Sequence, residues 1–529
     1  MYEETLINVR KEKHQALNGT TYPLASDNVR SIGSALEFFE FDTVLHCQRF
    51  STIKTSIVPS ELDQDLHVNI AGRVSAFRKS GSIAFIKLTD NTGSIQLIAS
   101  KAAYTDFDKL KLIDLGDIIE CEGLICLSKT GEKSILIRSV TLLSKSINPP
   151  PEKHEGINNT ETKYRQRYVD LMSSEETRAR FIIRSYIIKY LRSFMEDRNF
   201  LEVETSTLST IASGANAKPF TTHHNALDME LNLRIAPELN LKRLLVGGMD
   251  KVFEIGRNYR NEGLSSRHNP EFTMLEFYEA YASFPKLIKY AKEILSGADY
   301  YVKKHMHVNY SNYFLNYLDA RTFTLHSFAE VTMQEATIAA CKNAGINVGV
   351  TNALTIVDVD NARLPFIDIA GLTASLSNCK SDGEVTMTLF EYVAEPFLTE
   401  DYRTGDGKYS LPVFITEYPK DVCPLARAND INTNICDRFE LYLNGIELMN
   451  GFQELNDPEV QESRFQEQLE SNQKDSMAYD ADYVEALKYG MPPAIGLGLG
   501  IDRFIMALTN APSIKDVILF PTMKPVNNG

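Results

Sequence analysis

The sequence predicts an α+β protein in two parts: a small β-barrel, then a larger domain of helices and strand hairpins. Three observations carry this. Short β-rich runs alternate with turn signals from about Leu66 to Leu143. A stiff polar run, Asn148-Pro149-Pro150-Pro151-Glu-Lys-His-Glu-Gly, then marks a boundary. Beyond it come a long helix with an apolar stripe and two strongly patterned hairpins. With 529 residues, 43 % of them hydrophobic, the chain suffices for two or more domains with a substantial core.

The first residues, Met1 to Leu17, read as a charged amphipathic helix without a signal-peptide core. The barrel strands follow: His67–Val74, Ile83–Leu88, Ser94–Ile98, Asp117–Gly123 and Ser134–Val140, with turns at Asp90–Gly93 and Lys129–Gly131. A helix-like stretch from Tyr104 to Leu112 separates the third strand from the fourth, the order of a five-stranded OB barrel. A sandwich is the alternative. Phe85 and Gln96 fall on the second and third strands, where such barrels present bases with an aromatic platform. A strand Phe is more often core.

After the linker, Ser174 to Asp197 is a helix striped by Phe181, Ile182, Ile187, Ile188 and Leu191, followed by a strand Phe200-Leu-Glu-Val-Glu. The most informative run comes next, from Arg260 to Tyr278. It reads as two strands joined by a charged loop. Arg260 and Glu262 share a face if the strand includes them. Phe272, Met274, Glu276 and Tyr278 keep period two, placing a ring, a carboxylate and a phenol on one surface. Arg267 and His268 occupy the loop. The set suits a polyphosphate carrying a base, with a cationic partner for Glu276. A solvated surface hairpin fits less well, because Leu275 and Phe277 make the other face apolar and buried charges persist only when paired.

Residues 297–411 show mixed helix and strand patterns. Asp358, Asp360 and Asp368 lack Ca-loop spacing and read as solvated loop charges. The second hairpin, Phe439-Glu440-Leu-Tyr-Leu-Asn444-Gly445-Ile-Glu447-Leu, has an Asn-Gly turn. That turn opposes Leu443 to Ile446, Tyr442 to Glu447 and Glu440 to Met449. Glu440 and Glu447 then lie diagonally on one face. Two such carboxylates repel unless a cation lies between them, and Mg²⁺ suits; a pair of solvated edge glutamates is as good a reading from spacing alone. Asn450, Phe452 and Glu454 alternate on the opposite parity, so both sets reach one site only if the strand bulges near Leu448 to Met449. Finally, Gly496-Leu-Gly498-Leu-Gly500 is a small-residue strand entering an apolar helix, with Arg503 near the helix start at a natural anion position.

Composition removes several classes. No apolar run is long enough to cross a bilayer. Seven scattered cysteines without a CxxC pair suit reduced cytosolic thiols and not zinc ligation. A net charge of −15 disfavours general nucleic-acid coating. A modest basic excess between Ala71 and Lys111 allows local, salt-dependent contact. No P-loop or Rossmann spacing occurs.

Together these residues resemble the class II aminoacyl-tRNA synthetases. The helix 174–197 with Glu-Val-Glu is similar to motif 1, Arg260–Tyr278 to motif 2 and Gly496–Arg503 to motif 3. Within the class, the runs Arg234-Ile-Ala-Pro-Glu238, Phe414-Ile-Thr-Glu-Tyr-Pro, Pro424-Leu-Ala-Arg and Asn450-Gly-Phe-Gln-Glu454 resemble the bacterial-type lysyl-tRNA synthetase family. The resemblance covers Leu66 to about Ser296 and Val413 to Val526. It implies an N-terminal extension over 1–60, an anticodon-binding OB domain over 61–147 and a linker over 148–160. The catalytic domain, an antiparallel sheet flanked by helices, would span 161–529 with an insertion at about 297–411. It implies a cytoplasmic homodimer that activates L-lysine with ATP and Mg²⁺ and loads tRNA(Lys). Arg260 and Arg503 would be catalytic, Arg260 on the α-phosphate. Phe272 and Arg503 would sandwich adenine, Arg267 and His268 would reach the distal phosphates, and Glu262 would complete the ATP site. Glu440 and Glu447 would hold the metal. Gly214 and Glu238 would receive the α-ammonium, and Glu276, Tyr278, Asn450, Phe452 and Glu454 would line the side-chain pocket. Arg73, Phe85 and Gln96 would meet the anticodon.

The chain departs from the family at Ser206 (Pro in motif 1), at Ser213 (Gly beside the substrate) and at Met449, whose bulk is expected to press on the metal or lysine site. Two rivals remain. A paralogue loading another acceptor, such as a protein lysine, generally lacks the OB domain. A non-enzymatic RNA-binding relative would have lost Arg260, Glu447 or Arg503.

Overall fold

The computed structural model describes residues 2–18, 22–37, 39, 67–128, 130–151, 157–306, 308–349, 352–470 and 479–526. They form two compact units, Met1–Glu175 with His307–Asn309, and Glu176–Met306 with Tyr310–Gly529.

In the first unit five strands close into a barrel, in the order His67–Ser80, Ile83–Thr89, Ser94–Ser100, Lys133–Ser144, Ile118–Leu127. Ser94–Ser100 pairs with Lys133–Ser144 in parallel, and the other neighbours are antiparallel. Alternation explains the barrel. Ala84, Ile86 and Leu88 point in from one strand and Ile95, Leu97 and Ala99 from the next, all buried. The first strand continues past its predicted end to Ser80, bulging at Ser75 between Val74 and Ala76. The helix-like stretch shortens to a 3₁₀ turn, Phe107–Leu112. The N-terminal helix is Tyr2–Asn18. Arg10 Nη1 donates to the carbonyls of Leu115 and Ser146 at 3.0 and 2.6 Å, and Lys13 pairs with Asp114 at 2.5 Å. The remainder of the expected extension beyond residue 39, positions 61–66 of the barrel expectation, Lys129 of its turn and positions 152–156 of the linker lie outside the described residues.

The second unit is built on an eight-stranded sheet. Its order is Ala329–Thr332, Val413–Pro419, Ile435–Leu443, Ile446–Gln453, Ala494–Gly500, Glu271–Ala280, Lys251–Tyr259, Leu201–Glu202. The outermost strand at each edge joins in parallel, and the six between are antiparallel. Leu275 and Phe277 enter the main core with Ile183, Ile187 and Leu191 of helix Glu175–Glu196 and with Phe504 and Ile505 of helix Ile501–Leu508. Helix Phe284–His305 covers the same face through Leu287, Ile294 and Leu295. On the opposite face, helix Glu238–Val246 packs Leu241 and Leu245 beside Tyr278, Phe465 and Tyr483. The strand expected over Phe200–Glu204 is only Leu201–Glu202, because its pairing is limited to Val252 and Phe253.

Residues 329–401 add a helical layer with its own core. Met333, Ala340, Leu376 and Phe390 pack with Val413, Ile415 and Tyr442 of the outer strands. Helix Met333–Ala344 opens on a Thr332–Glu335 capping box and ends at Gly345, whose φ is +67°. Asp368 caps helix Ile369–Asn378, accepting from Gly371 N at 2.9 Å, while Asp358 and Asp360 are exposed.

Candidate active site

Two chambers on the sheet face opposite the main core share a neck formed by Arg260, Met274, Asn450 and Gly498. The period-two reading of the central strand holds: Phe272 and Met274 line the first chamber, Met274, Glu276 and Tyr278 the second. One expectation is corrected. Arg260 and Glu262 are not on a strand, because pairing ends at Tyr259; they lie in the loop and reach the first chamber from there. A single bond from Arg260 N to Pro270 O at 2.9 Å closes the loop above the strands.

The first chamber is cationic. The Arg260 guanidinium lies 5.1 Å from the Phe272 ring centroid and Nε faces Ile235 O at 3.5 Å. Burial lowers its pKa against the pull of Glu262, Glu447 and Glu276, but a guanidinium stays charged. Arg503 Nη1 donates to Glu447 Oε2 at 3.0 Å and its Nη2 contacts His268 Nε2 at 3.1 Å. That contact makes Nε2 the acceptor and leaves Nδ1–H for Ser265 Oγ at 2.8 Å. Burial and Arg503 depress the His268 pKa, so the ring is neutral. Arg267 Nη1 donates to Gly445 O at 2.6 Å, tying the charged loop to the hairpin turn. Asp502 accepts from Thr273 N at 2.6 Å and from Arg184 at 2.6 Å, which locks the Arg503 helix to the strand.

The second chamber is acidic. Glu238 begins its helix and pairs with Lys242 at 2.6 Å. Lys242 is wholly buried and also lies 2.5 Å from Glu454 Oε2. Burial opposes the charge on Lys242, but Glu238 and Glu454 outweigh it and its pKa is raised. Glu454 Oε1 is buried without a hydrogen-bond partner among the described residues. Burial pushes Glu454 up to about 8, with Lys242 opposing and Glu238 adding to the rise. Glu276 also stands at about 8, through burial and Glu238; Tyr278 OH reaches its Oε2 at 3.3 Å. Three carboxylates, Glu238, Glu276 and Glu454, gathered around the one Lys242 ammonium suit a ligand that brings further positive charge. Glycine is required at two places. A Cβ on Gly496 would overlap Glu454 Oε1 and the Tyr278 ring, and Gly214, at φ +88°, would bring one within 3.3 Å of Glu238 Cβ. Glu238, Gly214 and Phe452 line the chamber, whereas Glu454 lies behind its wall.

The hairpin has the predicted turn, with Asn444 and Gly445 at φ +51° and +68°. It also has the predicted bulge. Tyr442 pairs with Glu447 and Leu441 with Met449, so Leu448 is the extra residue. The register beyond it corrects the expected one: Glu440 opposes Asn450, not Met449. The bulge brings Glu447 and Asn450 to one chamber. Glu440 takes Arg438 Nη2 at 2.5 Å and Tyr442 OH at 2.6 Å. Burial and Glu440 raise the Glu447 pKa, with Arg503 opposing. Nearby Glu395 is raised to about 7 by burial, Glu440 and Glu447. No group of three ligating side chains gathers among the described residues. A carboxylate pair of this kind fits a hard cation that takes its other ligands from phosphate and water.

On the barrel, Arg73, Phe85 and Gln96 all lie on the outer face, none in the core. Lys87 pairs with Gln96, Phe85 with Ile98 and Arg73 with Thr89. Arg73 Nη1 is held by Gly116 O at 2.7 Å, and Gln96 by Ser134 Oγ at 3.0 Å.

Met449 does not press on the site. It is buried in the main core between Leu441 and Leu499, on the opposite side of the sheet. Ser206 Oγ donates to Leu208 O at 2.5 Å and Ser213 Oγ to Asp480 at 3.2 Å. Sequence reasoning missed Lys242 and Arg438. The spacing of Lys242, four residues after Glu238 at a helix start following Pro237, was a usable signal.

The chain matches the family of class II tRNA synthetases (D, K and N) over residues 159–524 and that of OB-fold nucleic acid binding domains over residues 68–143. It is 41 % identical over 540 aligned residues to a lysine–tRNA ligase of Thioalkalivibrio sulfidiphilus, covering 99 % of this chain and 98 % of that protein. It is 44 % identical over 473 residues to the lysine–tRNA ligase of Aromatoleum aromaticum, 88 % of each chain. The lysine–tRNA ligase of Neisseria meningitidis is 40 % identical over 529 residues, 99 % of this chain and 97 % of that one.

Proposed function

The chain belongs to the lysine–tRNA ligases among the class II tRNA synthetases, and we propose that its paired chambers are where lysine meets ATP. It is an ATP-dependent ligase that attaches lysine to tRNA. One observation carries the residue-level reading: an acidic chamber and an arginine-lined chamber share a neck at Arg260 and Asn450.

Adenylate formation is an in-line attack of a carboxylate on the α-phosphorus, which breaks the α–β phosphoanhydride bond and releases pyrophosphate. It needs alignment and charge stabilisation but no protein nucleophile. Lysine would lie in the acidic chamber, its α-ammonium at Gly214 and Glu238 and its side-chain ammonium toward Glu276, Tyr278 and Glu454. Its carboxylate would then emerge at the neck. Arg260 stands there to neutralise both the attacking oxygen and the α-phosphate. Adenine would stack between Phe272 and Arg503, with Arg267 and His268 on the distal phosphates and Glu262 at the mouth. Arg503 would exchange Glu447 and His268 for the nucleotide. Mg²⁺ held by Glu440 and Glu447 would neutralise phosphate charge. The second step transfers the lysyl group to the 3′-terminal adenosine.

Arg73, Phe85 and Gln96 would contact the anticodon of tRNA(Lys) from the barrel's outer face. The domain division proposed is 1–60 extension, 61–147 barrel, 148–160 linker and 161–529 catalytic. No helix among the described residues is long and apolar enough to cross a membrane. The enzyme is proposed to be a cytoplasmic homodimer. Charging assays with radiolabelled lysine and a transcript of tRNA(Lys) test the reading. Lysylation should require ATP and an intact 3′ end, and lysine transfer to protein but not tRNA would replace it with the paralogue alternative.

A further inference from the structure

Arg438 is half-buried at the rim of the acidic chamber and uses all three guanidinium nitrogens. Nη2 pairs with Glu440 Oε1 at 2.5 Å, Nε donates to Asn450 Oδ1 at 3.2 Å and Nη1 to Cys423 Sγ at 3.1 Å. Its Cζ lies over the Tyr418 ring, 4.4 Å from the centroid. Arg438 and Asn450 sit on neighbouring strands, next to the Glu440–Asn450 pair, so the contacts follow from the shifted register.

The bond from Nε has a chemical consequence. An amide has one acceptor end and one donor end. With Oδ1 held by Arg438, Asn450 turns its amino group away from Arg438, and Nδ2 has no acceptor among the described residues. Asn450 lines both chambers at the neck. An amino donor there repels an ammonium and welcomes a carboxylate or phosphate oxygen.

We propose that Arg438 is a positioning residue: it fixes Asn450 as a donor for the amino-acid carboxylate at the neck and holds Glu440 for the metal through the same guanidinium. On this reading Asn450 serves the carboxylate end of the lysine site and not the side-chain pocket. The inference rests on the lysine reading of the acidic chamber. It adds a link between amino-acid and metal binding that passes through one side chain.

Binding of L-lysine and of lysinamide, which lacks the carboxylate, tests it by calorimetry on the full-length protein. Wild type should favour lysine over lysinamide by tenfold or more. Arg438→Lys keeps a cation beside Glu440 but has no fork to reach Asn450. It should lose about tenfold in lysine affinity, the worth of one hydrogen bond to a charged group, with little change for lysinamide, so the preference shrinks. Its Mg²⁺ requirement in pyrophosphate exchange should stay near wild type. Arg438→Met should lose both, with a higher Mg²⁺ requirement. Circular dichroism and tRNA affinity check that both variants fold. If Arg438→Met does not fold, Arg438→Lys decides alone. An unchanged lysine-to-lysinamide ratio in Arg438→Lys overturns the proposal. Equal wild-type affinity for lysine and lysinamide overturns it too, by removing the carboxylate from the neck. Failure of wild type to bind either ligand overturns the lysine reading itself, a distinct result.

Discussion

Lysine binding should release protons, and the number can be worked from two buried carboxyls. Glu276 and Glu454 each stand at about 8. At pH 7 Glu276 is mostly protonated, and Glu454 is so only to the extent that its pair with Lys242 does not hold it ionised, yet an ammonium ion needs both ionised. One pKa unit is about 1.4 kcal/mol, so ionising either group at pH 7 weakens binding about tenfold compared with pH above 8. The lysine side chain keeps its charge to about pH 10 and does not titrate in this window. The logarithm of Kd should therefore fall between about pH 6 and pH 8, with a slope between about one and two, and flatten above. Calorimetry in buffers of different ionisation heat counts the protons directly. Glu276→Gln should remove about one of them and weaken binding at pH 8.5. A Kd that is constant from pH 6 to pH 8, with no proton release, would refute the assignment of these carboxyls to the ammonium site.

The same two groups fix the sign of a stability profile. An unfolded Glu ionises near 4.5 and these ionise near 8 when folded. The folded chain thus holds more protons between those values, and their contribution is present below pH 4.5 and lost as pH rises through 8. Saturating lysine should flatten that slope in thermal melts. Glu447→Gln should cut adenylate formation by tenfold or more and raise the Mg²⁺ requirement, with anticodon binding intact; equal loss of both would indicate misfolding instead. Phe85→Ala should weaken tRNA binding by about 1–3 kcal/mol, one stacked base, and leave pyrophosphate exchange unchanged; lost exchange would contradict an outer-face role. Met449→Ala should destabilise the fold by about 2–5 kcal/mol without altering the lysine KM, because its side chain lies in the core.

The barrel and the central strand were legible because alternation is a local property. Ala84 to Leu88 and Phe272 to Tyr278 announce their faces by parity alone. The bulge was legible for a subtler reason: Glu447 and Asn450 reach one chamber only if a residue is inserted between them. What parity does not give is where pairing stops. Arg260 and Glu262 therefore read as sharing a strand, while strand pairing ends at Tyr259. Nor does local pattern show which charge meets which across the fold. Lys242 and Arg438 read as ordinary charged residues, and their roles come from Glu454 and from Asn450, brought close by folding. Residues 297–411 stayed opaque because they split between two cores: Ala298 to Leu325 join the main core, and from Met333 on the core is completed by Val413, Ile415 and Tyr442 from the sheet.

The central claim is that one cavity neutralises a cationic amino acid at one end and aligns ATP at the other. Amino-acid-dependent ATP–pyrophosphate exchange with lysine, its neutral isostere norleucine, and aspartate tests it most directly. Lysine should support exchange and the other two should not, because a neutral or anionic side chain leaves Glu276 without a cation and Glu454 with Lys242 alone. Exchange driven by aspartate or norleucine as readily as by lysine would contradict the account.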